Sequence, residues 1–264
     1  MDTKKTSEAI ITGIKGYFQK HNLSKAVIGL SGGIDSSITA FLSARALGSE
    51  NVTGILMPEE GLTSDSSVND AMEVVNILKI NNHKIPINNL INNFNSINKT
   101  IFNNKNQNGN KNNEIAIANS KARIRMSILY YFANINNALV IGTSNKSETV
   151  LGYATKYGDA ASDILPIGDL WKTQVIELAK YLEVPEKITN KKPTAELVAG
   201  VTDESELGAP YEIIDKILKL HFEKKAPKDE IISDGFDRKL VENVLLRIKV
   251  NEHKGRMPMV VRVV

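Results

Sequence analysis

Short apolar runs alternate along the chain with longer segments whose apolar residues recur every three or four positions. Ala26–Leu30 is five apolar or small residues closed by Gly32-Gly33, which predicts a short buried strand. The next ten residues, Ile38–Leu47, carry helical spacing and stop near Gly48. Asn51–Met57, His83–Ile87 and Ala138–Ile141 read as three further strands. Ile10, Ile11, Ile14, Tyr17 and Phe18 mark a helix over 3–20. Helices are also expected from Ser64 or Asp65, from Glu114, around Ser147, over Lys172–Tyr181, over Tyr211–Phe222 and over Arg238–Asn251. Strands alternating with helices predict an α/β fold, a parallel sheet with helices on both faces. The residues 1–264 show no internal repeat and no domain-scale linker, and a single domain is expected.

The weakest patterning lies in the Asn-rich stretch 88–113. Ile91, Phe94, Ile97 and Ile101 make one helical stripe, whereas 103–113 holds no apolar residue and is expected to be a mobile loop. Composition narrows the function by exclusion. Thirty-three basic residues against 30 acidic ones give a net charge of +3, too even to argue for nucleic acid. The absence of cysteine removes thiol nucleophiles, disulfides and thiolate zinc sites. No stretch approaches the length of a membrane span and the first residues lack a signal-peptide core, so a soluble cytoplasmic protein is expected.

Chemistry enters at Ser31–Ser37, SGGIDSS, between the first strand and its helix. Backbone N–H groups, hydroxyls and a helix N-terminus converge there, which makes an anion site. The loop lacks the Lys of a Walker motif and the spacing of a dinucleotide fingerprint. Asp35 beside phosphates is repulsive without a cation between them, and so implies Mg²⁺. Ligands of parallel sheets sit at the strands' carboxyl ends. Met57-Pro58 and Gly142–Asn145 also lie at such ends, pointing to one shared site. Beyond the fourth strand, Glu148 is placed to join Asp35 on a cation, and Lys156 to meet a substrate anion. Taken alone, these charges read first as a solvated helix face. Lys121 and Arg125 share one helix face and Arg123 points elsewhere. Lys172 opens a helix, Thr194 lies in the loop KKPTAEL, and His253, Lys254 and Arg256 form a basic cluster near the chain's end.

SGGIDSS by itself matches the pyrophosphate loop of the N-type ATP pyrophosphatases, with an adenine-nucleotide alpha-hydrolase-like (Rossmann-like) sheet. The order SGGIDSS, KARIRM, GTSNKSE, TKYGD, a later Lys, KKPTAEL and a terminal EHK-R-P resembles the NAD synthetase family over about residues 5–260. The resemblance implies a ligase that uses ATP, Mg²⁺ and ammonia to convert deamido-NAD to NAD, AMP and pyrophosphate. It implies the ammonia-dependent form, because no glutaminase segment or nucleophilic Cys is present. It further implies that Gly29, Leu30, Ser31, Gly32, Gly33, Ile34, Asp35 and Ser36 cradle ATP phosphates, with Thr143, Lys172 and Thr194 also on ATP. Asp35 and Glu148 would bind Mg²⁺, and Asp35 and Lys172 would be catalytic. Arg123, Lys156, Asp163, His253 and Lys254 would hold deamido-NAD. A homodimer is implied, with no nucleic-acid or membrane partner. One departure stands out: Ala160-Ala161 replace two glycines, so any left-handed backbone there would be strained and Asp163 displaced. Other loop-class readings are a GMP-synthetase-like domain or a tRNA-adenylating enzyme. A non-catalytic ATP sensor is a reading of a different class.

Overall fold

The computed structural model describes residues 1–102, 111–194 and 202–263; side chains at 97–102 and 111–112 are outside that description. It opens with α1 (Thr3–Lys20), β1 (Lys25–Gly29), α2 (Ile34–Leu47), β2 (Val52–Leu56), α3 (Asp65–Leu78) and β3 (Asn81–Lys84). There follow α4 (Asn88–Phe102), α5 (Lys111–Asn136), β4 (Ala138–Ile141), α6 (Lys146–Leu151) and α7 (Lys172–Tyr181). The remaining helices are α8 (Glu186–Thr189), α9 (Asp203–Leu207), α10 (Tyr211–Phe222), α11 (Lys228–Ser233) and α12 (Arg238–Asn251). All four strands are parallel, in the order β3-β2-β1-β4.

The alternation of side chains along β1 explains the layers. Ala26 and Ile28 join α1, α2, α3 and α7 in one apolar cluster, built with Phe18, Ile38, Leu42, Val74 and Leu178. Val27, one residue out of phase, joins Ile55, Ile87, Ile91, Ile124 and Val140 on the opposite face, beneath α4 and α5. The sheet is therefore covered on both sides, as expected from the α/β pattern. A third cluster lies apart from the sheet: Leu151, Trp171, Tyr211, Ile214, Leu218, Ile231 and Val241 bind α6 to the C-terminal helices α9–α12.

Two expectations shift. The third strand is Asn81–Lys84, four exposed residues, rather than His83–Ile87. The apolar Ile85 and Ile87 follow it and donate backbone bonds to Leu56 and Pro58 (2.8 and 3.0 Å), so the chain runs on beside β2 after the strand ends. Pro86 lacks an N–H and cannot continue a ladder. At the Asn-rich stretch, Lys111–Asn113 open α5 instead of ending a loop. Ile91 of the expected stripe is buried and Phe94 is half exposed; the side chains of Ile97 and Ile101 and the segment 103–110 lie outside the description. Among the described residues no helix is long and apolar enough to cross a membrane.

Candidate active site

β1, β2 and β4 end together, and beyond their carboxyl ends lies a cavity of about 310 Å³. The turn after β1, Met57-Pro58 after β2 and Gly142–Ser144 after β4 form three of its walls. Arg125 of α5, Lys172 of α7 and Lys191–Thr194 also line it. The turn holds its own shape. Ser31 Oγ accepts the Gly33 N–H (3.2 Å), and the Ser36 and Ser37 hydroxyls donate to the Gly33 carbonyl (3.1 and 2.8 Å). Gly32 has φ +78°, and a Cβ there would stand 2.1 Å from the Ser67 carbonyl oxygen at the start of α3. Only glycine satisfies both constraints. Gly33 caps α2 without a side-chain acceptor, and Gly33, Ile34, Asp35 and Ser36 all line the cavity. The helix N-terminus is thus presented to the cavity as an anion cradle.

Lys172 stands at the first position of α7 and is 1% exposed. Its ammonium pairs with Asp35 and lies 3.3 Å from Glu148. Asn145 connects the same groups: its Nδ2 donates to Asp35 Oδ1 (2.9 Å) and its Oδ1 caps α6 at the Glu148 N–H (3.0 Å). Burial, then repulsion from Asp35, pushes the Glu148 carboxyl up to about 8, against the pull of Lys172. The pairing with Asp35 and Glu148 raises Lys172 above the ordinary amine value despite desolvation. Asp203 also lines the cavity, raised by burial, and accepts from Tyr153 Oη (3.3 Å). Two crowded carboxylates, one of them disfavoured as an anion, suit a dication. Among the described residues no group of three or more acidic or His side chains could hold a metal. Mg²⁺ commonly takes one or two carboxylates and completes its shell with phosphate and water, so Asp35 and Glu148 fit it.

The expected dinucleotide residues assemble elsewhere. Arg123 Nε donates to the Lys156 carbonyl (3.2 Å), Lys156 Nζ to the His253 carbonyl (2.8 Å) and Lys254 Nζ to the Gly152 carbonyl (2.8 Å). Arg123, Lys156, His253 and Lys254 thus form one basic patch outside the cavity wall, built from three distant segments. Asp163 stands apart from it. Its carboxylate accepts the Val140 N–H (2.7 Å) and the Tyr130 hydroxyl (3.4 Å) at β4. The expected strain at Ala160-Ala161 is absent, since neither residue has positive φ; the left-handed residue of the segment is Tyr157, at φ +60°. Thr143 and Thr194 both line the cavity, and the rest of the Thr194 loop, 195–201, is outside the described residues.

Several cavity groups escaped the sequence reading. Arg125 lies on the cavity wall and donates to the Met57 carbonyl (3.1 Å); its helix face was legible, its destination was not. Lys191 also lines the wall and reaches Ser67 Oγ (2.7 Å) and Asp70 Oδ2 (3.2 Å). Asn145, behind the wall, bonds Asp35 from within GTSN. Asp203 and Tyr153 carry no local signal.

A parallel sheet whose strand ends meet a Ser-Gly-Gly turn and a buried Lys–carboxylate cluster defines a Rossmann-like nucleotide site. The chain belongs to the NAD synthase family, whose model matches residues 6–258. The NH(3)-dependent NAD(+) synthetase of Archaeoglobus fulgidus is 44% identical over 100% of this chain and 98% of its own. The structure of an NH3-dependent NAD synthetase from Campylobacter jejuni, in complex with the nitrate ion, superposes with a TM-score of 0.79 at 34% identity, covering 99% and 100% of the two chains. An NMN synthetase from Francisella tularensis gives a TM-score of 0.84 at 32% identity, over 98% of each.

Proposed function

We propose that this chain is an ammonia-dependent NAD synthetase, amidating deamido-NAD with ATP and ammonia to give NAD, AMP and pyrophosphate. The observation that carries the reading is the buried Lys172–Asp35–Glu148 cluster facing the helix cradle. The nicotinate carboxylate attacks the α-phosphorus, an O–P bond forms, and the bond to the β-phosphate oxygen breaks. The 31–36 turn holds the departing pyrophosphate, and Lys172 neutralises charge that grows as it leaves. Ammonia then attacks the carbonyl of the adenylate, loses a proton, and AMP departs with the C–O bond. Thr143 and Thr194 flank the ATP. Asp35 and Glu148 would hold Mg²⁺, which supplies phosphate charge neutralisation when bound. Arg123, Lys156, His253 and Lys254 take the dinucleotide on the outer patch. Asp163, whose carboxylate accepts the Val140 N–H at β4, is assigned to the dinucleotide with them.

The exposed Tyr131 and Ile135 of α5 (70% and 63%) support a homodimer, since they continue the i, i+4 row that carries Arg123. ATP as a substrate supports a cytoplasmic setting. The likeness to an NMN synthetase favours one second reading, a mononucleotide substrate. Purified protein supplied with ATP, Mg²⁺ and ammonium is offered deamido-NAD or its mononucleotide half, and NAD, NMN and pyrophosphate are measured. The first reading expects the larger kcat/KM with the dinucleotide. A preference for the mononucleotide installs the second reading, and no product from either removes both.

A further inference from the structure

The chemistry above gives the buried carboxylate of Asp215 no task. Asp215, on α10, is 1% exposed and follows Ile214, a member of the apolar cluster of the C-terminal helices. Its Oδ1 accepts the Ser147 hydroxyl (2.5 Å) and its Oδ2 accepts the backbone N–H of Thr173 (2.8 Å). Ser147 Oγ, having donated its proton to Asp215, accepts the backbone N–H of Lys172 (2.9 Å). Lys172 and Thr173 supply the first two N–H groups of α7, which have no partner inside the helix. Trp171 at the cap position offers them no side-chain acceptor. The cap of α7 therefore comes from another helix, 42 residues further along the chain. A negative charge at a helix N-terminus is favourable, and two donors offset the cost of burying it.

The location matters more than the cap. Ser147 precedes Glu148, and Lys172 is the residue whose N–H is fixed. One carboxylate from the C-terminal helices thus ties together the backbones that carry two of the three groups in the cluster. A hydrophobic side chain at 215 would pack with the same cluster without joining α6 to α7. Resting on the amidation reading, we propose that Asp215 is a positioning residue: it clamps α7 onto α6 and so holds the Lys172 ammonium between Asp35 and Glu148. Displacements of about 1 Å in such a group cost on the order of 10² in rate.

The test compares Asp215→Asn with Ile214→Val, which thins the same helix's packing and leaves the hydrogen bonds intact. Reductive methylation followed by mass spectrometry reads the reactivity of Lys172 directly, without any substrate. We expect Lys172 to stay protected in the parent and in Ile214→Val, and to react at least about tenfold faster in Asp215→Asn. With deamido-NAD, kcat should fall roughly 10–100-fold while KM for the dinucleotide stays within about twofold. In a Lys172→Ala background Asp215→Asn should then cause no further loss in kcat. Unchanged protection of Lys172 in Asp215→Asn overturns the proposal whatever the activity. An equal loss of kcat with and without Lys172 also overturns it. A parent that makes no NAD removes the amidation reading, and the methylation result still decides the role of Asp215.

Discussion

The cavity cluster and the outer basic patch are built in opposite ways. In the cavity, Lys172 is 1% exposed, its ammonium contacts Asp35 and Glu148, and its helix is capped through a buried network. In the patch, Arg123 and Lys156 are joined to neighbouring segments by carbonyl contacts near the surface, and among the described residues neither forms an ion pair with a carboxylate. The first arrangement fixes geometry where charge develops. The second leaves positive charge available to an anionic substrate. On the proposed function, reaction type falls to the buried interior and substrate choice to the rim, and this division makes distinct kinetic demands on the two regions.

The largest effect is expected from Lys172→Ala. Removing a preorganised donor of this kind costs about 10²–10³ in kcat. Turnover of NAD near the parent rate would erase the difference between the regions, since the interior would then be no more demanding than the rim.

The pH dependence of stability sharpens the same contrast. Glu148 is held at about 8 in the folded chain, well above the ordinary carboxyl value of 4.5. Between those two values the folded state keeps a proton that the unfolded state has lost. Stability from this group is therefore greatest below about 4.5 and is lost as pH rises toward 8. Glu148→Gln abolishes the titration, so its urea midpoint should gain on the parent from pH 5 to pH 8. A gap that stays constant with pH would mean that Lys172 keeps Glu148 ionised.

At the rim, Lys156→Ala should raise KM for deamido-NAD about tenfold, the worth of one charge-assisted hydrogen bond, and leave kcat and KM for ATP unchanged. A fall in kcat instead would place Lys156 with the interior groups.

What the chain disclosed in advance follows the same line. The 31–37 turn, β4, α7 and α12 were legible because each is coded by neighbouring residues: a glycine pair, a four-residue apolar run, helical spacing with a stop. β3 was misplaced because Asn81–Lys84 carry no apolar residue, and the edge of β2 creates that strand rather than its own composition. Asn145, Asp203 and Asp215 were invisible as site residues for another reason. Their partners lie 110, 50 and 68 positions away, and only the fold brings them together. Asp163 was named for the substrate from the resemblance alone, and its bond to the Val140 N–H of β4 was not legible in the sequence.

The smallest expected effect falls on the segment that joins the two regions. Ala161 lines the cavity, five residues after Lys156 of the patch. Glycines at 160-161 would suit left-handed backbone, yet the left-handed residue here is Tyr157. With negative φ at 161, alanine reduces the freedom of the unfolded chain at no strain. Ala161→Gly should therefore destabilise by roughly 0.4–1 kcal/mol, lowering Tm by about 1–4 °C. A rise in Tm would show strain relieved at 161 and would return the turn to the conformation that two glycines favour. If turnover also rose in that variant, the joint between rim and interior would be limiting the reaction, and the two regions would no longer act as separate determinants.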